Sequence, residues 1–390
     1  MHRLMPAIVS GLVLGLLMAS RADAQHQPFV VHDTKPVITH GPYLVDPSET
    51  AVTVVWTTDT PSHARVIFGS GESLDRHAEA ARHGMLPVGT LHAIRISGLE
   101  PGRTYRYQAV STRVVRLKAY WPEKGLAVES AVGTFTTLDR RKPSVSFSVV
   151  TDTHEDVPRI DALMKAIDWP STDFFVHVGD AFHSVESEDQ LFAKWLDPVA
   201  RGLAGRTAMI YARGNHEMRG AFARSVFDYV PSEEGRFYYA RDHGPLHLLV
   251  LDTGEDKPDD TNVYARLNRS EPYLAEEIAW VRAHAQSTPR HPEAPFRVVL
   301  MHQPGWQGLA NGAATWTAVA SDARADLVIA GHRHRYSRVD AGTGGATFTT
   351  LVLGQDQIAR VDATPDTLTV TVRSASGEPI DAFVLRRRSR

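Results

Sequence analysis

Two patterns of apolar and polar positions divide this chain. Between residues 37 and 138, short β-branched or alternating runs recur at 51–57 (AVTVVWT), 65–68, 91–96, 104–110 and 132–136, with Gly, Pro and Ser clusters between them. Alternation sends successive side chains to opposite faces, so these runs predict short strands, and their spacing predicts a β-sandwich. Leu99-Glu100-Pro101-Gly102 is a turn by its own chemistry, since proline fixes φ and glycine tolerates positive φ. Residues 137–143 (TLDRRKP) are polar, end in proline and predict a linker.

Beyond the linker, strands alternate with helices. Residues 161–166, 190–196 and 271–285 predict helices; the last has apolar residues near helical spacing and Pro272 in its first turn, where a missing N–H costs nothing. Apolar runs at 145–150, 174–178, 208–211, 298–301 and 327–330 predict buried strands. Near the end, 367–373 alternates, Ser376-Gly377 turns and 382–385 returns, a hairpin added to the same domain. The pattern predicts a layered α/β domain over 144–390, with helices covering the sheet faces.

Composition narrows the picture in three ways. The chain has 390 residues, more than one core usually supports, so two domains are expected. Its net charge of -3 gives no footing for a nucleic-acid partner. It contains no cysteine, which removes disulfides, iron–sulfur clusters and thiolate-held zinc. At the start, His2 and Arg3 precede an apolar run over 7–19, then Ala22-Asp23-Ala24. The run is too short to cross a bilayer comfortably, so residues 1–24 read as a cleaved secretory signal. The expectation is a secreted or periplasmic protein with no membrane span after cleavage.

Each of the five apolar runs of the second half stops at a side chain able to bind metal. They lead to Asp152 and His154, to Asp180, to Asn215, to His302, and to His332 and His334. In open α/β sheets, ligands gather beyond the carboxyl ends of the strands, so these side chains can converge on one site. Any one of them is a weak signal among 19 histidines; all of them at strand ends is a strong one. Imidazole with carboxylate and amide oxygen suits manganese, iron, zinc or cobalt better than calcium.

The ordered set Asp152-Thr153-His154, Gly179-Asp180, Gly214-Asn215-His216-Glu217, His302 and Gly331-His332-Arg333-His334 resembles the calcineurin-like metallophosphoesterase superfamily. That family's pattern is D-x-H or D-x-G, G-D, G-N-H-[DE], a lone His and G-H-x-H. The resemblance implies an α/β fold, a four-layer sandwich of two mixed sheets flanked by helices. It also implies two divalent or trivalent metal ions (Fe, Mn or Zn), one on Asp152, His154 and His334 and the other on Asn215, His302 and His332, with Asp180 bridging. The implied chemistry is attack of a metal-bound hydroxide on the phosphorus of a phosphate ester. His216 is the expected proton donor to the leaving oxygen, and Glu217 is expected to orient His216 or another histidine.

Residues 39–60, 96–107 and 133–137 resemble the fibronectin-III-like domain that precedes the catalytic domain of purple acid phosphatases, giving an all-β sandwich over 37–138. The purple enzymes carry D-x-G first and a Tyr ligand in G-D-x-x-Y. Here His154 replaces the Gly and His183 stands in place of the Tyr, so His154 is expected to substitute for the phenolate and the protein to be colourless or nearly so. Trp306 and Trp316 flank the loop after His302, where they either wall the substrate or pack beneath the loop. Asn268-Arg269-Ser270 is a glycosylation sequon. An alternative reading is a binding module with a specialised or inactive site, against which the complete ligand set counts. A serine hydrolase fails for want of a G-x-S-x-G elbow.

Overall fold

The computed structural model describes residues 30–288, 294–304 and 316–387. The predicted signal segment and Trp306 lie outside these residues. No helix among them is long and apolar enough to cross a membrane.

The N-terminal part is all strand: β1 (Ile38–Val45), β2 (Val52–Gly69), β3 (Arg76–Ala78), β4 (Gly89–Ile96), β5 (Thr104–Arg116), β6 (Glu123–Glu129) and β7 (Gly133–Thr136). The runs at 51–57 and 65–68 are one strand of 18 residues rather than two. Pro61 divides them in the sequence, and the pairing of β2 with β4 slips between Thr57 and Ser62, an irregularity that accommodates a residue with no N–H to donate. These strands close on their own apolar cluster, which includes Trp56, Val66, Tyr105 and Phe135. The segment expected as a linker is pinned down: Leu138 is buried, its N–H donates to Ser48, and its carbonyl accepts from Gly102.

The rest runs β8 (Val145–Val150), α1 (Val157–Ala166), β9 (Phe174–Val178), α2 (Glu188–Leu191), α3 (Asp197–Leu203), β10 (Ala208–Ala212), α4 (Val226–Tyr229), β11 (Tyr239–His243), β12 (Leu246–Val250), α5 (Ser270–Ser287), β13 (Phe296–Leu300), α6 (Trp316–Asp322), β14 (Leu327–Ala330), β15 (Ser337–Val339), β16 (Thr349–Val352), β17 (Gln357–Ala363), β18 (Thr367–Ser374) and β19 (Pro379–Arg386). The predicted C-terminal hairpin is β18–β19, on the edge of the larger sheet. That sheet runs β19-β18-β17-β8-β9-β10 and continues through β1 into the N-terminal strands, by a parallel bridge at Val45 and Met209. The smaller sheet runs β11-β12-β13-β14-β16-β15.

Strand alternation builds the layers. Phe147, Val149, Phe174 and Val176 of the large sheet meet Leu248, Val298, Leu300 and Ile329 of the small one in a shared core. Their neighbours Val150, Phe175 and Met209 turn the other way, onto Ile160 and Leu163 of α1 and Val199 of α3. Leu249, Val299 and Val328 face Leu274, Ile278 and Val281 of α5 and Trp316 and Val319 of α6. The result is helix, sheet, sheet, helix, each large side chain contributing about 1.5–3 kcal/mol of burial. Trp316 is part of this packing.

Candidate metal centre

Five parallel strands aim their carboxyl ends at one place. β8, β9 and β10 run parallel in the large sheet, and β13 and β14 run parallel in the small one. The loops after β8 and β9 carry Asp152, His154 and Asp180, the loop after β10 carries Asn215, and those after β13 and β14 carry His302, His332 and His334. Hydrogen bonds stitch the two sheets together here. His302 Nδ1–H donates to the Val178 carbonyl at 2.8 Å, and the His332 N–H donates to Asp152 Oδ2 at 2.9 Å.

These loops are tight. Asp152, His154, Asp180, His332 and His334 all have positive φ, at 52°, 43°, 54°, 72° and 56°. L-residues occupy that region at a cost of about 1–3 kcal/mol each, a strain that clusters at functional sites. The glycines are set by close approach. A Cβ on Gly331 would land on Thr151 Oγ1 and Asp152 Oδ2, and one on Gly214 would land on Asp180 Oδ1.

Among the described residues the side chains form three groups of candidate ligands, Asp152–His154–Asp180–His334, Asp180–His302–His332 and, at the rim, His154–His183–His216, with Asp180 in the first two. Within them His154 Nε2 lies 3.0 Å from His334 Nε2, and His334 Nε2 lies 3.3 Å from Asp152 Oδ1. His302 Nε2 lies 2.9 Å from Asp180 Oδ2, and His332 Nδ1 lies 3.1 Å from Asn215 Oδ1. Two donors on one ion, each about 2.0–2.1 Å from it, stand about 3.0–3.4 Å apart, so the spacing fits a metal. The satisfied nitrogens agree. His154 Nδ1–H is spent on the Phe182 carbonyl at 2.9 Å and that of His302 on Val178, which leaves Nε2 of each for a ligand bond. His302 Nε2 and Asn215 Nδ2 are buried without an aligned hydrogen bond, close as His302 is to Asp180.

Electrostatics point the same way. Burial pushes His154 and His332 down to about 4, so the 3.8 Å approach of His154 to Asp152 is not an ion pair. Burial also works against a charge on His302, but the carboxylates of Asp180 and Asp152 outweigh it and raise this imidazole to about 10. Asp180 is held well below the usual carboxylate range; His302 and His216 more than offset its burial. The two carboxylates thus demand buried positive charge. A proton on His302 or a cation at the same place would meet that demand.

The expected proton donor, His216, stands at the rim. Its Nδ1–H donates to the His183 carbonyl at 2.8 Å, and its Nε2 lies 3.8 Å from Asp180 Oδ2. The ring of His183 stacks on His154 with centroids 4.6 Å apart. Glu217 corrects the sequence reading. It makes no hydrogen bond to a histidine; it is fully buried, and its carboxylate accepts the N–H groups of Asp180 (3.1 Å), Ala181 (2.6 Å) and Gly214 (2.9 Å). It ties the loop after β9 to the loop after β10. Arg219 was missed: its Nη1 lies 3.1 Å from His216 Nε2, and its Nε donates to Glu255 Oε1 at 2.9 Å. The only signal for it in the sequence was a cation two residues after Glu217. Asp252 is not at the ligands; it pairs with the Arg213 guanidinium at 2.6 Å.

The sequence profile of the calcineurin-like phosphoesterase family matches residues 145–336. Among solved structures, the chain is similar to the purple acid phosphatase PPD1 from yellow lupin (Lupinus luteus) seeds, at 16% identity and a TM-score of 0.67, over 90% of this chain and 74% of that one. That likeness is one of fold. Weaker likenesses, which carry no argument, are to GAP50, the anchor in the inner membrane complex of Plasmodium (14% identity, TM-score 0.47, 64% of this chain and 90% of that), and to a predicted phosphoesterase from Streptococcus pneumoniae TIGR4 (12%, 0.30, 63% and 98%). No curated protein matches the sequence.

Proposed function

On the premise that residues 145–336 make this chain a calcineurin-like phosphoesterase, and so a metal-dependent hydrolase of phosphate esters, we propose that it works through a binuclear centre held by seven side chains. The observation that carries the reading is that Asp180 belongs to two of the ligand groups, one with Asp152, His154 and His334 and one with His302 and His332. A carboxylate has an oxygen for each of two ions. Asp152, His154 and His334 would complete one site, and Asn215, His302 and His332 the other. The donors are all nitrogen and oxygen, which suits iron, manganese or zinc. Bound there, the ions supply Lewis acidity to the phosphoryl oxygens and make water acidic enough to attack near neutral pH.

The chain's own groups do the rest. His216, anchored by Nδ1 to the His183 carbonyl, keeps Nε2 facing the site; there Nε2 accepts from Arg219 Nη1, so it would have to take up a proton before passing one to the leaving oxygen. Arg219, fixed by Glu255, holds a positive charge beside that ring, where a phosphoryl group brings negative charge. Glu217 holds the two loops at the distance the ligands need. We further read residues 37–138 as a fibronectin-III-like unit, which its own apolar cluster supports, and residues 1–24 as the export signal.

The test is hydrolysis of an aryl phosphate monoester and of its bis-aryl diester by protein stripped of metal and resupplied with manganese, zinc or iron. Turnover should vanish with the metal and return at a stoichiometry near two, and the preferred ester narrows the substrate class. Full turnover by metal-free protein overturns the reading, and two bound ions with no turnover favours a binding role.

A further inference from the structure

Beside the metal centre lies a cavity of about 400 Å³ lined by four arginines, Arg213, Arg224, Arg236 and Arg269. Arg213 and Met218, both on its wall, bracket the Gly214–Glu217 segment that carries Asn215 and His216. No carboxylate lines it among the described residues, in a chain whose net charge is -3. Like charges gathered at one concavity repel, and an anion relieves that repulsion.

Two of the cations, Arg213 and Arg236, are held in place. The Arg213 guanidinium pairs with Asp252 at 2.6 Å and sits 4.4 Å over the Phe237 ring. Arg236 lies 4.3 Å over Tyr238, with its Nε donating to the Tyr238 carbonyl. Of the four, only Arg213 forms an ion pair among the described residues. Glu277, packed behind Asp252, offers little offsetting charge, because burial and the neighbouring Asp252 push its carboxyl well up. Ser270, also on the wall, is buried, and its hydroxyl has no hydrogen-bond partner. Phe237 and Tyr273 line the same space, so the cavity offers aromatic surface as well as charge.

We propose that this cavity is a binding site for an anionic group carried on a planar or aromatic body. Such a ligand places its anion among Arg224, Arg236 and Arg269 and its ring against Phe237 and Tyr273. It has two possible sources, the leaving-group portion of the ester that is cleaved or a separate small anion. Binding is independent of the phosphoesterase reading, whereas a link to turnover rests on it.

The probe is benzenesulfonate, an aromatic anion that ligates metals poorly, titrated calorimetrically into the metal-loaded protein and into the Arg224→Gln/Arg269→Gln variant. Both arginines are exposed, so the fold should survive, which thermal unfolding checks. Loss of two charge-assisted contacts should weaken binding about 100-fold, roughly tenfold each. Equal affinity in both proteins, or no binding to the parent at millimolar probe, overturns the site. The ratio of kcat/KM for an ester with a carboxylate-bearing leaving group to that for an uncharged aryl ester separates the sources. A fall in that ratio in the variant assigns the cavity to the leaving group. An unchanged ratio with lost sulfonate binding assigns it to a separate ligand. If neither protein turns over any ester, the phosphoesterase reading fails and the binding result still stands.

Discussion

Removing the Glu217 carboxylate should loosen the metal centre without touching a ligand. Its Oε2 accepts the N–H groups of Asp180 and Gly214, and its Oε1 accepts that of Ala181. All three donors sit in buried loops, and Glu217 itself has no exposure. Glu217→Ala leaves three buried amides without an acceptor, at about 1–3 kcal/mol each, and relaxation or entering water recovers part of that. We expect a loss of about 3–6 kcal/mol, a large share of the ~5–15 kcal/mol that holds most proteins folded. Glu217→Gln should cost less, since an amide oxygen placed at the Oε2 position keeps two of the three bonds. Equilibrium urea unfolding, read from the midpoint at unchanged slope, should rank the parent above Gln and Gln above Ala, and the metal content should follow the same order. If Glu217→Ala keeps its stability within about 1 kcal/mol and its metal, and loses only kcat, the bracing argument is refuted and the carboxylate acts on His216 after all.

Asp180→Ala should lose both metals and all activity together, measured by metal analysis of the purified variant. His216→Ala should keep its metal and lose about 10²–10⁴-fold in kcat, because only the proton donor is gone. Gly331→Ala should displace Asp152, onto which its Cβ would fall, and reduce metal stoichiometry with little change in far-UV circular dichroism. Against its burial, Asp180 and Asp152 push the His302 imidazole up from 6.5 to about 10 without metal, so its contribution to stability should be full below pH 6.5 and be lost as the pH rises towards 10. The stability difference between the metal-free parent and metal-free His302→Gln should therefore shrink across that window, and metal loading at pH 8 should release about one proton from this group. A difference that stays flat with pH removes the argument that a proton holds the place of a cation.

The strand periodicity of the second half was legible in the sequence because those strands are buried on both faces and read as unbroken apolar runs, each ending at a candidate ligand. The order of the five motifs needed no structure, since each is local and set by a strand end. What the sequence missed depended on pairing across distance. The runs at 51–57 and 65–68 read as separate strands because local rules do not show that a slip in register can absorb Pro61 between them. Residues 137–143 looked like a linker because their polarity does not reveal that Leu138 is buried and bonded to Ser48 and Gly102. Glu217 sits next to His216 in the chain but faces the loop that follows β9, and Arg219 reaches back to the His216 ring with Glu255 fixing its charge. Sequence by itself determined which side chains can bind metal and that each stands where a strand stops. Only the packing of two sheets face to face decided that three ends of one and two of the other meet at Asp180, because the contacts that bring them together join residues more than a hundred positions apart.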